Sequence, residues 1–178
     1  EDDTEAVVFN MVNAILLHVY QSGRVDLLDE RRFSLVREGI SVNQALSEVI
    51  LKGHAFWPLG LARFDDPYSA FGIARGDEMY LCFWNKDNLS DAVVPLQKYG
   101  VRAVEQVYPS QIETNMRLEG DNLLIFPHRK FFARLFRLNK KERQYENCDI
   151  LWEQRILPRG SDRERPGRDE AGGRKSRI

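Results

Sequence analysis

Asp65 and Asp66 are the first place to look for chemistry in this chain of 178 residues. Cleaving a glycosidic bond takes two carboxyl groups flanking it, roughly 5 to 5.5 Å apart for retention and further apart for inversion. Neighbouring residues of an extended chain point to opposite faces, and Pro67 closes the pair in a turn-like context, so they read as turn chemistry. His18, His54 and His128 are far apart and have no metal-ligand spacing. Cys82 lies in the apolar run 79–84 and reads as a small core residue. With Cys148 it makes neither a metal spacing nor a disulfide framework. A nucleophile elbow, a phosphate-binding glycine loop and a Cys-x-x-Cys pair are all missing from the sequence. The residues therefore assign no catalytic group, no metal and no cofactor. Trp57, Tyr80 and Trp84 could stack on sugars, although aromatics in strand-like runs are more often core.

The net charge of −1, with basic and acidic residues interspersed, provides no field to gather nucleic acid. Hydrophobic content of 43% is ordinary for a globular protein. No apolar run is long enough to span a bilayer, so no membrane partner is expected; the compartment is left open by the sequence, with cytoplasmic favoured. The chain opens with Glu1-Asp2-Asp3-Thr4-Glu5 and passes at once into apolar periodicity, as a piece cut from something longer would.

Two kinds of periodicity divide the elements that could position a site. Val8, Met11, Val12, Ile15 and Leu16 recur at helical spacing behind an acidic start that suits a helix N-terminus. The run 14–20 fits either the end of that helix or a buried parallel strand, with local grounds favouring helix. Asp29 is the expected N-cap of a second helix, whose stripe joins Leu35 and Val36 to Val42, Ala45, Leu46, Val49 and Ile50. Gly39 within it points to close packing or a slight bend, and Gly53 offers a C-cap. The seam Phe56-Trp57-Pro58-Leu59-Gly60-Leu61 follows, where proline forbids helix and the two aromatics suggest a packing staple.

Beyond the seam, residues 68–75, 78–85, 92–96, 101–108, 122–126 and 131–138 are short β-prone runs. Gly76-Asp77 and Gly120-Asp121 are two-residue hairpin chemistry. Arg75-Gly76-Asp77 spells a tripeptide known from integrin ligands, but between two strand runs it reads as a turn. These runs predict a small antiparallel sandwich or Greek-key sheet. From 139 onward the pattern becomes charged and from Pro158 lacks the apolar content to offset ordering, so 139–178 is expected to be a largely disordered tail.

The ordered segments Phe9-Asn10-Met11-Val12-Asn13, Gln21-Ser22-Gly23-Arg24-Val25-Asp26, Leu35-Val36-Arg37-Glu38-Gly39 and the seam carry a family resemblance. Ala70-Phe71-Gly72-Ile73, Tyr80-Leu81-Cys82-Phe83-Trp84 and Ala133-Arg134-Leu135-Phe136-Arg137-Leu138 continue it. Together they resemble the C-terminal part of bacterial glycoside hydrolase family 36, the α-galactosidases and their relatives, over residues 1 to about 138. The resemblance implies an α+β chain: terminal helices of a (β/α)8 barrel over 1–53, a connecting seam over 54–63, and a small antiparallel β-sandwich over 64–138. It makes the stretch from Leu16 to Gly23 a candidate final barrel strand, with Ser22 and Gly23 at its C-terminal end as candidate substrate-binding residues. The family's catalytic aspartates lie upstream of the matched region, so no catalytic residue carries over.

The expected function is that of a C-terminal fragment of an α-galactosidase-like hydrolase, meeting an α-galactoside or related sugar only within the full-length protein. The alternatives are a stand-alone carbohydrate-binding or protein-interaction module, or a degenerate gene product. A stand-alone chain would leave its helix stripe exposed and self-associate through it.

Overall fold

A computed structural model describes residues 3–20 and 23–140. The tail expected over 139–178 starts too early, since Asn139 and Lys140 are the last residues of a strand; the rest of it, 141–178 with Cys148, lies outside the described residues. Three helices precede eight strands: α1 (Thr4–Ile15), α2 (Glu30–Ala45), α3 (Ser47–Lys52), β1 (His54–Phe56), β2 (Tyr68–Arg75), β3 (Glu78–Asn85), β4 (Ala92–Pro95), β5 (Val101–Tyr108), β6 (Met116–Glu119), β7 (Asn122–Ile125) and β8 (Phe132–Lys140). The antiparallel strands form a five-stranded sheet in the order β1-β2-β3-β8-β5 and a three-stranded sheet in the order β4-β7-β6. The chain passes between the sheets repeatedly, and its last strand returns to lie between β3 and β5. No helix among the described residues is long and apolar enough to cross a membrane.

The period-two alternation of β3 explains the layering. Met79, Leu81 and Phe83 join Ala92, Val94, Leu123, Ile125, Phe132 and Phe136 in the core between the sheets. Tyr80 and Cys82 join Val8, Met11, Val12, Ile15, Leu35, Val36, Leu46 and Val49 in a second core beneath the helices. A sheet apolar on both faces needs cover on both, and the helices supply one cover. Of the helix stripe, Leu35, Val36, Leu46 and Val49 are buried against the larger sheet, Val42 and Ile50 are partly buried and Ala45 is exposed.

Local chemistry sets the helix ends. Asp3 accepts from the Ala6 amide at 3.1 Å and Asp29 from the Arg32 amide at 2.8 Å, each filling the N-cap role. The Arg32 amide, and after it the Arg32 guanidinium, hold the Asp29 carboxyl below its ordinary range. α1 ends at Ile15, and Asn43 of α2 donates its amide to the carbonyls of Ile15 (2.9 Å) and Leu17 (3.2 Å). Residues 18–20 are neither helix nor strand, which overturns the local preference for helix and equally the barrel strand that the resemblance implies from Leu16. With Asn43 satisfying the terminal carbonyls, nothing obliges the chain to continue the helix.

The second helix is two, because Leu46 at φ −91° and ψ 4° separates α2 from α3. Gly39 is a close approach: a Cβ there would lie 2.7 Å from Met11 Cε and 3.4 Å from the Tyr108 ring. The helical run stops at Lys52 with Gly53 as an extended C-cap, and β1 begins at His54, so Pro58 does not end the helix. β1 sits on β2 through the register Phe56↔Gly72, where a Cβ on Gly72 would strike the Phe56 ring at 2.3 Å. Both Gly-Asp pairs are hairpin loops, Gly76 at φ 60° joining Arg75↔Glu78 and Gly120 at φ 59° joining Glu119↔Asn122. The Arg75-Gly76-Asp77 tripeptide is a turn.

Candidate functional site

Gly23 stands just before a short 3-10 turn (Val25–Leu27) that leads into α2. With Val7, Asn10, Met11, Arg24, Val25, Leu28 and Val36 it lines an open cavity of about 170 Å³ between α1 and α2. Ser22 lies outside the described residues. Most of this lining is aliphatic. Its one charged group, Arg24, is engaged with Asp26 through bonds of 2.8 and 2.6 Å, and the guanidinium holds the Asp26 carboxyl below its ordinary range. No carboxylate lines the cavity.

Two further cavities flank α1 and the loops between strands. Asp3, Ala6, Phe9, Asn10 and Phe131 line one of about 190 Å³. Glu113, Thr114, Asn115, Met116 and His128 line another of about 550 Å³, with the His128 ring stacked on Phe132 at 6.0 Å. Each holds a single carboxylate, and hydrolysis of a glycoside requires two facing the same bond. Among the described residues, none of the three cavities is lined by two carboxylates.

The other residues considered from sequence are spread through the fold. Asp66 Oδ2 accepts from the Arg63 amide at 2.6 Å and the Asp66 amide returns to the Arg63 carbonyl at 3.3 Å, so the tempting pair is a turn clamp. His18 lies beside Tyr20, His54 opens β1 and His128 lines the cavity of about 550 Å³. Among the described residues, no group of three His, Cys, Asp or Glu side chains is placed to hold a metal. Trp57 tilts against Phe71 of β2 at 5.7 Å and Phe56 against Tyr99, in the 3-10 turn between β4 and β5, at 4.7 Å, so the seam's aromatics pack on the strand-rich part.

Cys82 is fully buried and burial pushes its thiol well above the ordinary range. Since the thiolate is the reactive form, the native side chain should be inert. Iodoacetamide at mildly alkaline pH should leave Cys82 unmodified in the folded chain and label it fully in urea, as read by peptide mass mapping; rapid labelling of the native chain would contradict the burial.

Sequence reasoning missed a polar cluster beneath α1. Arg134 of β8 is buried completely, and its Nη1 and Nη2 donate to the two carboxylate oxygens of Glu5 at 2.7 and 2.8 Å. Its Nε donates to Thr114 Oγ1 at 2.6 Å, and Nη1 also reaches the Ala133 carbonyl at 2.8 Å. The guanidinium carbon lies 5.1 Å from the centre of the Phe132 ring. This forked pair fastens the helical layer to the strands. The available signal was an arginine, Arg134, between Ala133 and Leu135 in a run whose only other charge is Arg137.

These elements define an α+β body with a two-sheet antiparallel β portion and a helical layer on the larger sheet. No family model and no curated protein matches the chain. Solved structures similar in fold include Amy13B of Eubacterium rectale, at 13% identity and TM-score 0.43, over 70% of this chain and 23% of that one. AmyP in complex with maltose is similar at 9% identity and TM-score 0.46, over 71% and 25%. The GH36 α-galactosidase AgaA of Geobacillus stearothermophilus, in complex with raffinose, is similar at 12% identity and TM-score 0.42, over 72% and 18%. The chain thus spans a quarter or less of the length of each.

Proposed function

We propose that this chain is the C-terminal part of an α-galactosidase-like glycoside hydrolase, closing a catalytic barrel and adding its β domain, and that it hydrolyses no glycoside by itself. On this reading, α1 to α3 are terminal barrel helices, and an α-galactoside or related sugar meets the protein only when the catalytic aspartates of the rest of the polypeptide are present. The observation that carries the reading is the join between the two parts. The segments resembling family 36 run in order across it, and the helices precede eight antiparallel strands and share a core with the larger sheet. Assaying the isolated chain with nitrophenyl α-galactoside should give background turnover; hydrolysis that disappears when one of its carboxylates is substituted would refute the proposal.

A non-catalytic carbohydrate-binding module is the second reading, favoured by the polar cavity of Glu113, Thr114, Asn115 and His128. The coding sequence upstream of Glu1 separates the two. An in-frame barrel carrying a Lys-Trp-Asp motif supports the first, and a start codon directly before Glu1 supports the second.

A further inference from the structure

The connection between β1 and β2 is the most apolar exposed feature among the described residues. Trp57 is 44% exposed, Leu61 78% and Phe64 102%, and all three lie within eight residues of one another. Such a loop would ordinarily fold its apolar side chains inward, but its backbone is held in place. Lys86 Nζ donates to the carbonyls of Arg63 (3.0 Å) and Phe64 (3.3 Å), and Asp66 clamps the Arg63 amide. The Gly60 amide closes a turn on the Trp57 carbonyl at 3.1 Å, with Gly60 at φ 78°. Leu61 and Phe64 are thus presented on a preorganised loop, which lowers the entropic cost of an association.

We infer that this loop is a self-complementary contact through which two copies of the chain associate about a two-fold axis. The charges beside Phe64 select that occupant. Arg63 and Asp65 flank it, and among the described residues neither side chain makes a hydrogen bond or ion pair. In a two-fold contact, residue i of one copy meets residue j of the other and the reverse, so both Arg63–Asp65 pairs form at once. Arg63 and Lys86 balance Asp65 and Asp66, so the loop has no net positive charge to draw it to an anionic lipid surface. A net charge of −1 leaves little long-range repulsion between copies.

Sedimentation velocity on the full chain over a concentration series tests the contact. The weight-average mass should rise towards twice that of the monomer. The variant L61E/F64D should weaken association by at least about tenfold while keeping its far-ultraviolet circular dichroism. R63D and D65R should each weaken it, and R63D/D65R should restore it, because the exchanged signs meet again across the axis. Four results would overturn the inference: a monomer at every concentration, undiminished association of L61E/F64D, failure of the double exchange to restore, or Phe64-dependent binding of a monomeric chain to phosphatidylserine vesicles. None of these readouts depends on glycoside turnover, so the contact and the hydrolase reading fail separately.

Discussion

Arg134→Met should lower the free energy of unfolding by about 3–5 kcal/mol, the loss that follows when one partner of a buried ion pair is removed. The carboxylate of Glu5 would remain under α1 with no cation facing either oxygen, and Thr114 Oγ1 and the Ala133 carbonyl would lose their donor. The double variant Glu5→Leu, Arg134→Met should recover most of the loss, because apolar groups of similar volume in place of both charges remove the desolvation cost together with the attraction. Urea unfolding followed by Trp fluorescence reads all three free energies and the coupling between the positions. A double variant no more stable than Arg134→Met alone would show that the site depends on the charges themselves. Raising the salt concentration should change the pair's contribution little, because buried pairs are screened much less than exposed ones.

The pair also shows where sequence reading works and where it stops. Strands β2, β3 and β5 have the bounds read from their residues, since β-branched and aromatic runs punctuated by Gly-Asp leave few other solutions. β6 escaped notice because Met116-Arg117-Leu118-Glu119 alternates over only four residues and carries two charges. β1 escaped because three residues between a helix cap and a proline have no periodicity to measure. Glu5 was legible as an acidic residue suited to a helix N-terminus. Its partner lies 129 residues away, and no local pattern reports a contact of that range. The burial of the helix stripe is hidden for the same reason: only when β3 and β8 are seen to be apolar on both faces does the larger sheet demand a cover. The candidate site was least legible. Gly23 does reach a cavity, but the barrel strand implied for the stretch before it is absent over residues 18–20.

Asn85 should be the second most sensitive position, and its response to pH is the sharper test. At the end of β3 it is completely buried and ties down two loops. Its Nδ2 donates to the carbonyls of Asn88 (2.7 Å) and Arg129 (3.1 Å), and its Oδ1 accepts from the Asn88 amide at 3.0 Å. Asn85→Leu preserves the approximate shape and removes the partner of three part-buried backbone groups, a loss of about 1–3 kcal/mol in all, since water can reach the exposed Arg129 end. Asn85→Asp should cost more near pH 7, because an ionised carboxylate would face two carbonyl oxygens at a position where the side chain itself is buried. Burial and those carbonyls favour the protonated acid, so the folded-state pKa of the introduced aspartate lies above its unfolded value of about 3.9. The folded state then binds the extra proton, and stability falls as pH rises through the interval between the two values. The deficit of Asn85→Asp relative to the parent chain should therefore shrink as pH is lowered from about 7 towards about 5, when the acid donates its proton to one of the carbonyls. The deficit of Asn85→Leu, which has no titrating group, should stay constant over the same range. Urea unfolding of the three chains at each pH measures both trends, and parallel pH profiles for the two variants would show that Asn85 is not held against those carbonyls.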